Sequence, residues 1–236
     1  MDEFVEVSCR KDFKGTLVEN VRHLSDESLR RIDEIWDKEF QIRQGSLYNG
    51  DVLGIVSASD EELLVEKVEY KLVLALLRDP RLSAEISFKP LSTSGMTISS
   101  GAVLIGQRSQ YVSSYPNFYE MVPSGSIDCS TCHEGIIDLR EQLVKELTEE
   151  ADIHPSYIES TEGWSLIYDV AGRGYEVVAR LRVKEFISSS PKHMSEGEYR
   201  SLIWLPKEEF EKHLMQHIDH YVPLTKHLYY SWKELI

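Results

Sequence analysis

The hydrophobic pattern changes period several times along the 236 residues. After Ser25, the apolar Leu29, Ile32, Ile35, Trp36 and Phe40 recur at helical spacing, and the Ser25 hydroxyl can cap that helix. Val52 to Val56 reads as a strand, and Asp60-Glu61-Glu62 as a turn. From Val65 onward, Val68, Tyr70 and Leu72 alternate with Lys67, Glu69 and Lys71, a period of two that predicts a half-buried strand. Leu72 to Leu77 is apolar throughout and also fits the start of a helix. Lys89 to Gly95 is rich in Pro, Ser, Thr and Gly and reads as a linker or boundary. Beyond it the pattern predicts a buried strand from Thr97 to Ile105, a loop at Tyr115-Pro116-Asn117 and a short strand from Tyr119 to Val122. A helix from Asp138 to Ala151 follows, then strands at Trp164–Val170, Tyr175–Val183 and Leu202–Leu205. Pro206 suits the first turn of a helix, and the remainder is helical with a break near Val222-Pro223. Strands and helices interleave, so the expected class is α+β, with a small N-terminal α+β domain over residues 1–88 and a main domain over 89–236.

The helix from Asp138 carries the most chemistry. Asp138 can cap it, with Glu141 completing a capping box. At about 100° per residue, Glu146, Glu149 and Glu150 fall on one stripe. Leu143, Val144, Leu147 and Ala151 form the neighbouring stripe, which should bury. Like charges one turn apart repel. The stripe fits either a solvated acidic helix face or an edge that takes a hard divalent cation such as Mg²⁺ or Mn²⁺.

Composition narrows the partners. Forty acidic against 26 basic side chains give a net charge of −14, the opposite of what a nucleic-acid surface attracts. No run approaches the roughly 20 apolar residues of a membrane span. The acidic start from Met1 to Arg10 does not resemble a secretory signal. Cys9, Cys129 and Cys132 suit a reducing compartment. The expectation is a cytoplasmic protein without nucleic-acid or membrane partners.

The segment Lys145-Glu146-Leu147-Thr148-Glu149-Glu150-Ala151-Asp152-Ile153 resembles the second half of the Nudix box. Upstream, Tyr115 to Gly125 is similar to the aromatic strand and glycine that precede that box. Leu104-Ile105-Gly106-Gln107-Arg108 is similar to the opening strands of the fold, and Ser201 to Pro206 to its closing strand. The resemblance implies a Nudix α/β/α sandwich with a mixed sheet and a Mg²⁺-dependent (or Mn²⁺-dependent) hydrolase. Such an enzyme cleaves a diphosphate linkage in a nucleotide-like small molecule. It implies Glu146, Glu149 and Glu150 as metal ligands and catalytic carboxylates. Arg108, Tyr119, Gly125 and Lys145 become substrate-binding candidates, and Glu134, Arg173, Glu196 and Glu198 secondary candidates. The box is altered. Lys145 stands for the family arginine, Asp152 for the late glycine and Ile137 for the first glutamate, and about six extra residues lie around Asp128 to Gly135. The altered box keeps a second reading open, a non-catalytic Nudix-fold nucleotide sensor or protein-interaction module. Leu47 to Gly50 and Val68-Glu69-Tyr70 are similar to the extra domain of the UDP-glucose pyrophosphatase branch, which implies a nucleotide-sugar substrate; the apolar face of this region must pack on the main domain of the same chain or of a second subunit in a homodimer.

Other constellations say less. Cys129-Ser130-Thr131-Cys132-His133 matches a haem-attachment spacing without an export route to support it, and reads as a loop coincidence. His213, His217 and His220 read as surface histidines, and Gly172-Arg173-Gly174 as a tight turn.

Overall fold

The structure is a computed structural model and describes residues 3–8, 14–20, 22–43, 47–59, 62–184, 192–193 and 198–235. Strands β1 (Phe4–Ser8) and β2 (Lys14–Leu17) precede helix α1 (Asp26–Ile42). Strands β3 (Asp51–Ala58) and β4 (Leu63–Glu69) lead into α2 (Tyr70–Arg78). Next come β5 (Lys89–Ser99), β6 (Ala102–Arg108), β7 (Tyr119–Met121) and β8 (Ser124–Ser126). The short strands β9 (Cys132–His133) and β10 (Ile136–Asp138) run into α3 (Leu139–Ala151). The chain finishes with β11 (Ile158–Asp169), β12 (Gly174–Val183), β13 (Lys192–His193), β14 (Tyr199–Pro206), α4 (Lys207–Gln216) and α5 (Pro223–Trp232). The class is α+β. Among the described residues, no helix is long and apolar enough to cross a membrane.

The chain divides into two compact units, neither of them a continuous stretch. The first comprises Met1–Ser92, Ser126–Gln142 and Leu166–Glu176, and the second Thr93–Gly125, Leu143–Ser165 and Val177–Ile236.

In the first unit, β10 pairs antiparallel with β2, β2 parallel with β4, and β4 antiparallel with β3, so the sheet is mixed. β1 pairs antiparallel with β11 from Phe4↔Asp169 onward. Ile32 and Ile35 of α1 bury against Val68, Val73, Leu82, Ile86 and Phe88. Ser25 caps α1 by accepting the Ser28 N–H at 3.2 Å. Leu29 and Phe40 are exposed, because the buried stripe continues through Glu39 instead. Tyr70 and Leu72 are helical, correcting the strand expected from their alternation. The Tyr70 N–H reaches the Gly50 carbonyl (2.9 Å), and the Asn49 side chain accepts the Lys71 N–H (2.9 Å). A residue far back in the chain thus caps the start of α2, where alternation alone predicts more strand.

In the second unit, β14 lies antiparallel along β6, from Tyr199↔Arg108 to Pro206↔Ala102, and β6 pairs antiparallel with β5 and β7. Lys89 to Gly95 belongs to β5 and is no linker. Its polar residues pack because their hydroxyls find backbone partners: Thr93 donates to the Val177 carbonyl (3.0 Å) and Thr97 to the Val122 carbonyl (2.8 Å). Leu143, Leu147 and Ala151 of α3 bury against Leu104, Val122, Ala179 and Leu181. Asp138 caps α3, accepting the Arg140 and Glu141 N–H groups at 3.0 Å each. The expected capping box is not made, since the Glu141 carboxylate meets His133 (3.0 Å) and the Asp138 N–H goes to the Thr131 carbonyl (3.2 Å).

Candidate functional site

Helix α3 ends as its sequence implies. The Thr148 hydroxyl is shared between the Val144 and Ile153 carbonyls (2.9 and 3.0 Å), and Asp152 takes the left-handed conformation, φ +59°, that usually favours glycine. The last turns present the acidic stripe in three different environments. Glu149 is exposed, with its carboxylate 3.9 Å from the Lys145 ammonium. Glu146 is half-buried, and its carboxylate lies so near Gly125 that a Cβ there would stand 2.4 Å from Oε2. Glu150 is buried, and both its oxygens face the Ser124 N–H at 3.1 and 3.4 Å. Burial and the charges of Glu198 and Glu120 push the Glu150 carboxyl well above the usual range, against the opposing Ser124 hydrogen bond.

Two further carboxylates come from strand partners. Glu120 in β7 is 3% exposed and takes hydrogen bonds from the Arg108 guanidinium and from the Tyr199 hydroxyl, the latter at 2.7 Å. Glu198, just before β14, lies 3.2 Å from Arg108, and its backbone carbonyl accepts the Ser109 N–H at 2.7 Å. Burial pushes the Glu198 carboxyl up to about 7; Arg108 opposes this, and Glu120 and Glu146 add to it. Burial works against the Arg108 charge, but Glu120 and Glu198 outweigh it and raise its pKa. The Tyr199 hydroxyl is pushed well above its ordinary value by complete burial and then by the same carboxylates. Glu150 and Glu198 therefore titrate under the influence of the neighbouring carboxylate charges, which Arg108 opposes at Glu198.

Among the described residues, no three His, Cys, Asp or Glu side chains stand close enough to enclose a metal ion. Separate anchors hold the carboxylates apart: Ser124 for Glu150, Lys145 for Glu149 and Arg108 for Glu198. The donor set still suits a hard divalent cation. It consists of carboxylate oxygens whose mutual repulsion a positive charge would relieve.

Tyr119 is half-buried, its ring 4.8 Å from His213, 5.7 Å from His217 and 5.4 Å from Tyr221. His213 is not a surface histidine: it is partly buried and shares a 2.7 Å hydrogen bond with the Tyr221 hydroxyl. Glu134 and Arg173 belong to the first unit. Glu134 is an exposed turn residue, and Arg173 is exposed at φ +54° between Gly172 and Gly174. Cys129 and Cys132 bear free thiols in a turn closed by a 3.1 Å backbone hydrogen bond. Cys9, Glu196 and the Asp60-Glu61 turn lie outside the described residues.

No family model and no curated protein matches this chain. Several solved structures do share its outline. Tm1382, named as a Nudix hydrolase, is 14% identical with a TM-score of 0.47, over 85% of this chain and 96% of its own. The Nudix domain of Shewanella oneidensis NrtR, solved with ADP-ribose, is 20% identical with a TM-score of 0.38, over 57% and 86%. A Nudix hydrolase from Nitrosomonas europaea is 11% identical with a TM-score of 0.41, over 59% and 84%. These neighbours are Nudix proteins, but at such scores they carry no weight for what this chain does.

Glu120 and Tyr199 escaped the sequence reading. The available signal was Arg108 itself, since a buried arginine needs acceptors across its strand pairs. Gly106↔Glu120 and Tyr199↔Arg108 are the registers that supply them.

Proposed function

We propose that this chain is a Nudix-type hydrolase that uses Mg²⁺ or Mn²⁺ to cleave the diphosphate linkage of a nucleoside diphosphate derivative, a nucleotide sugar being the finer assignment. One observation carries the reading. Glu150, near the end of α3, is buried, and its carboxyl is pushed up by that burial and by the charges of Glu198, Glu120 and Glu146 of the same unit. Glu146, Glu149 and Glu150 would hold the cation. When bound, it supplies charge neutralisation at phosphoryl oxygens and a more acidic water. Glu198, with a pKa near 7, is suited to accept a proton from an attacking water at neutral pH. Arg108, pinned by Glu120, orients Glu198, and burial of Tyr199 keeps bulk water from Glu120. Lys145 lies beside the stripe and is the cation offered to a substrate phosphate.

The competing reading is a nucleotide sensor without turnover, and the altered box favours it. Incubation of the full chain with UDP-glucose, ADP-ribose and dinucleoside polyphosphates, with and without Mg²⁺ or Mn²⁺, separates the two. Metal-dependent release of a nucleoside monophosphate is expected. Tight binding with no turnover on any of them would overturn the hydrolase reading.

A further inference from the structure

The first unit contains a recess of its own, away from any carboxylate of the stripe in sequence. Leu76, Leu77, Pro80, Phe88 and Pro90 line it with apolar surface, and its space is about 440 Å³ including the open mouth. Lys89 and Arg173 line it as well, and bring two cations. The turn that carries Arg173 is built into this shape. Gly172 donates its N–H to Asp169 Oδ1 at 2.8 Å, and a Cβ on Gly172 would come within 2.5 Å of that carboxylate. A Cβ on Gly174 would stand 3.2 Å from the Pro90 carbonyl oxygen. Between these glycines Arg173 holds a left-handed backbone, which costs a non-glycine residue free energy and persists only where its surroundings impose it. Asp169, the acidic side chain of this turn, is engaged with Gly172, and neither Lys89 nor Arg173 forms an ion pair with any described residue.

A recess lined by apolar side chains and two cations suits a compact apolar body carrying a dianion. We infer that this recess binds a small phosphate monoester, its apolar body against Leu76, Leu77 and Phe88 and its phosphate between Lys89 and Arg173. Two lysine-like or arginine-like charges match the roughly −2 charge of a monoester near neutral pH. The inference is independent of the hydrolase reading, because none of its residues belongs to the carboxylate set.

Phenyl phosphate is the probe. Calorimetric titration of the full chain in EDTA, without divalent metal, should show saturable one-site binding that weakens with added salt. Inorganic phosphate and benzyl alcohol, each carrying half of the chemistry, should bind at least about tenfold more weakly. Arg173→Gln and Lys89→Gln should each weaken phenyl phosphate about fivefold or more without changing the melting temperature. Leu77→Asp puts a carboxylate on a half-exposed rim position and should abolish binding. Glu150→Gln should leave it unchanged, which keeps this test distinct from that of the hydrolase. Absence of saturable binding would overturn the inference. So would equal affinity in Arg173→Gln and Leu77→Asp, or loss of binding in Glu150→Gln.

Discussion

The two units treat buried carboxylates in opposite ways. In the first, each is matched by arginine. Glu39 meets Arg78 at 2.7 Å and also Arg43, Asp79 meets Arg81 at 2.6 Å and Arg31 at 3.0 Å, and Glu66 meets Arg22 at 2.5 Å. The arginine hydrogen bonds hold Glu39 and Asp79 below the usual carboxylate range. In the second, Arg108 meets Glu120 and Glu198, yet burial and neighbouring carboxylates drive Glu150 and Glu198 upward. Matched charges serve the fold. Unmatched ones cost stability and persist where something else supplies the missing charge. Substitutions should therefore have opposite signs in the two places.

The sharpest contrast is Glu150→Gln. Turnover should fall at least about 100-fold, because a carboxylate of the set is lost. The metal-free protein should melt at a higher temperature than the unmodified chain, because a buried repulsion is relieved. Full activity in this variant would remove Glu150 from the site. Next in size is the response to the cation. Mg²⁺ at 100 times its dissociation constant should stabilise the unmodified chain by about 2.7 kcal/mol and Glu150→Gln far less, as measured by thermal unfolding. Equal stabilisation of both would place the cation elsewhere. The mirror experiment is Glu39→Gln in the first unit. It leaves Arg43 and Arg78 facing each other with a neutral partner and should cost about 2 kcal/mol in urea unfolding while kcat holds. A stabilised variant would erase the contrast between the units.

Smaller still is a pH effect. Burial first, and then the neighbouring His217, lower the His213 pKa from 6.5. The unfolded chain then binds a proton that the folded chain refuses. The contribution of His213 is intact above 6.5 and is lost as pH falls from there to the folded-state value. Unfolding at pH 7.5 and 5.5 should show a drop that is reduced in His213→Gln, and an identical drop would exonerate this residue. The smallest effect should come from Cys129→Ser with Cys132→Ser, within about 0.5 kcal/mol and without loss of activity. Unfolding of that variant would reveal a structural role for the thiols.

What could be read in advance follows from the range of the forces involved. The stripe on α3, its Asp138 cap and the left-handed Asp152 depend on residues a few positions apart, and the 3.6-residue period displays them. Glu120 and Tyr199 became visible only through strand register, which links positions distant along the chain. The β5 segment looked like a linker because clustered Pro, Ser, Thr and Gly usually mark loops. Its hydrogen bonds to Val122 and Val177 are long-range facts that composition does not contain. The pattern of α1 misplaced Leu29 and Phe40 for a related reason, because arginines reaching from Arg43 and Arg78 draw Glu39 into the buried stripe.

The discontinuous first unit also imposes an order on synthesis. Its opening strand pairs Phe4 with Asp169, and Lys14 of β2 waits for Asp138. A nascent chain stopped at Ser92 would leave β2 with β4 alone and β1 without its partner, so β1 cannot pair until β11 has left the ribosome. Pairings that span so much chain form slowly, because loop closure must precede any reward from contact. Removal of residues 1–88 would do the converse. It would strip β10 of β2 and β11 of β1, one neighbour each, and expose edges that invite association between molecules.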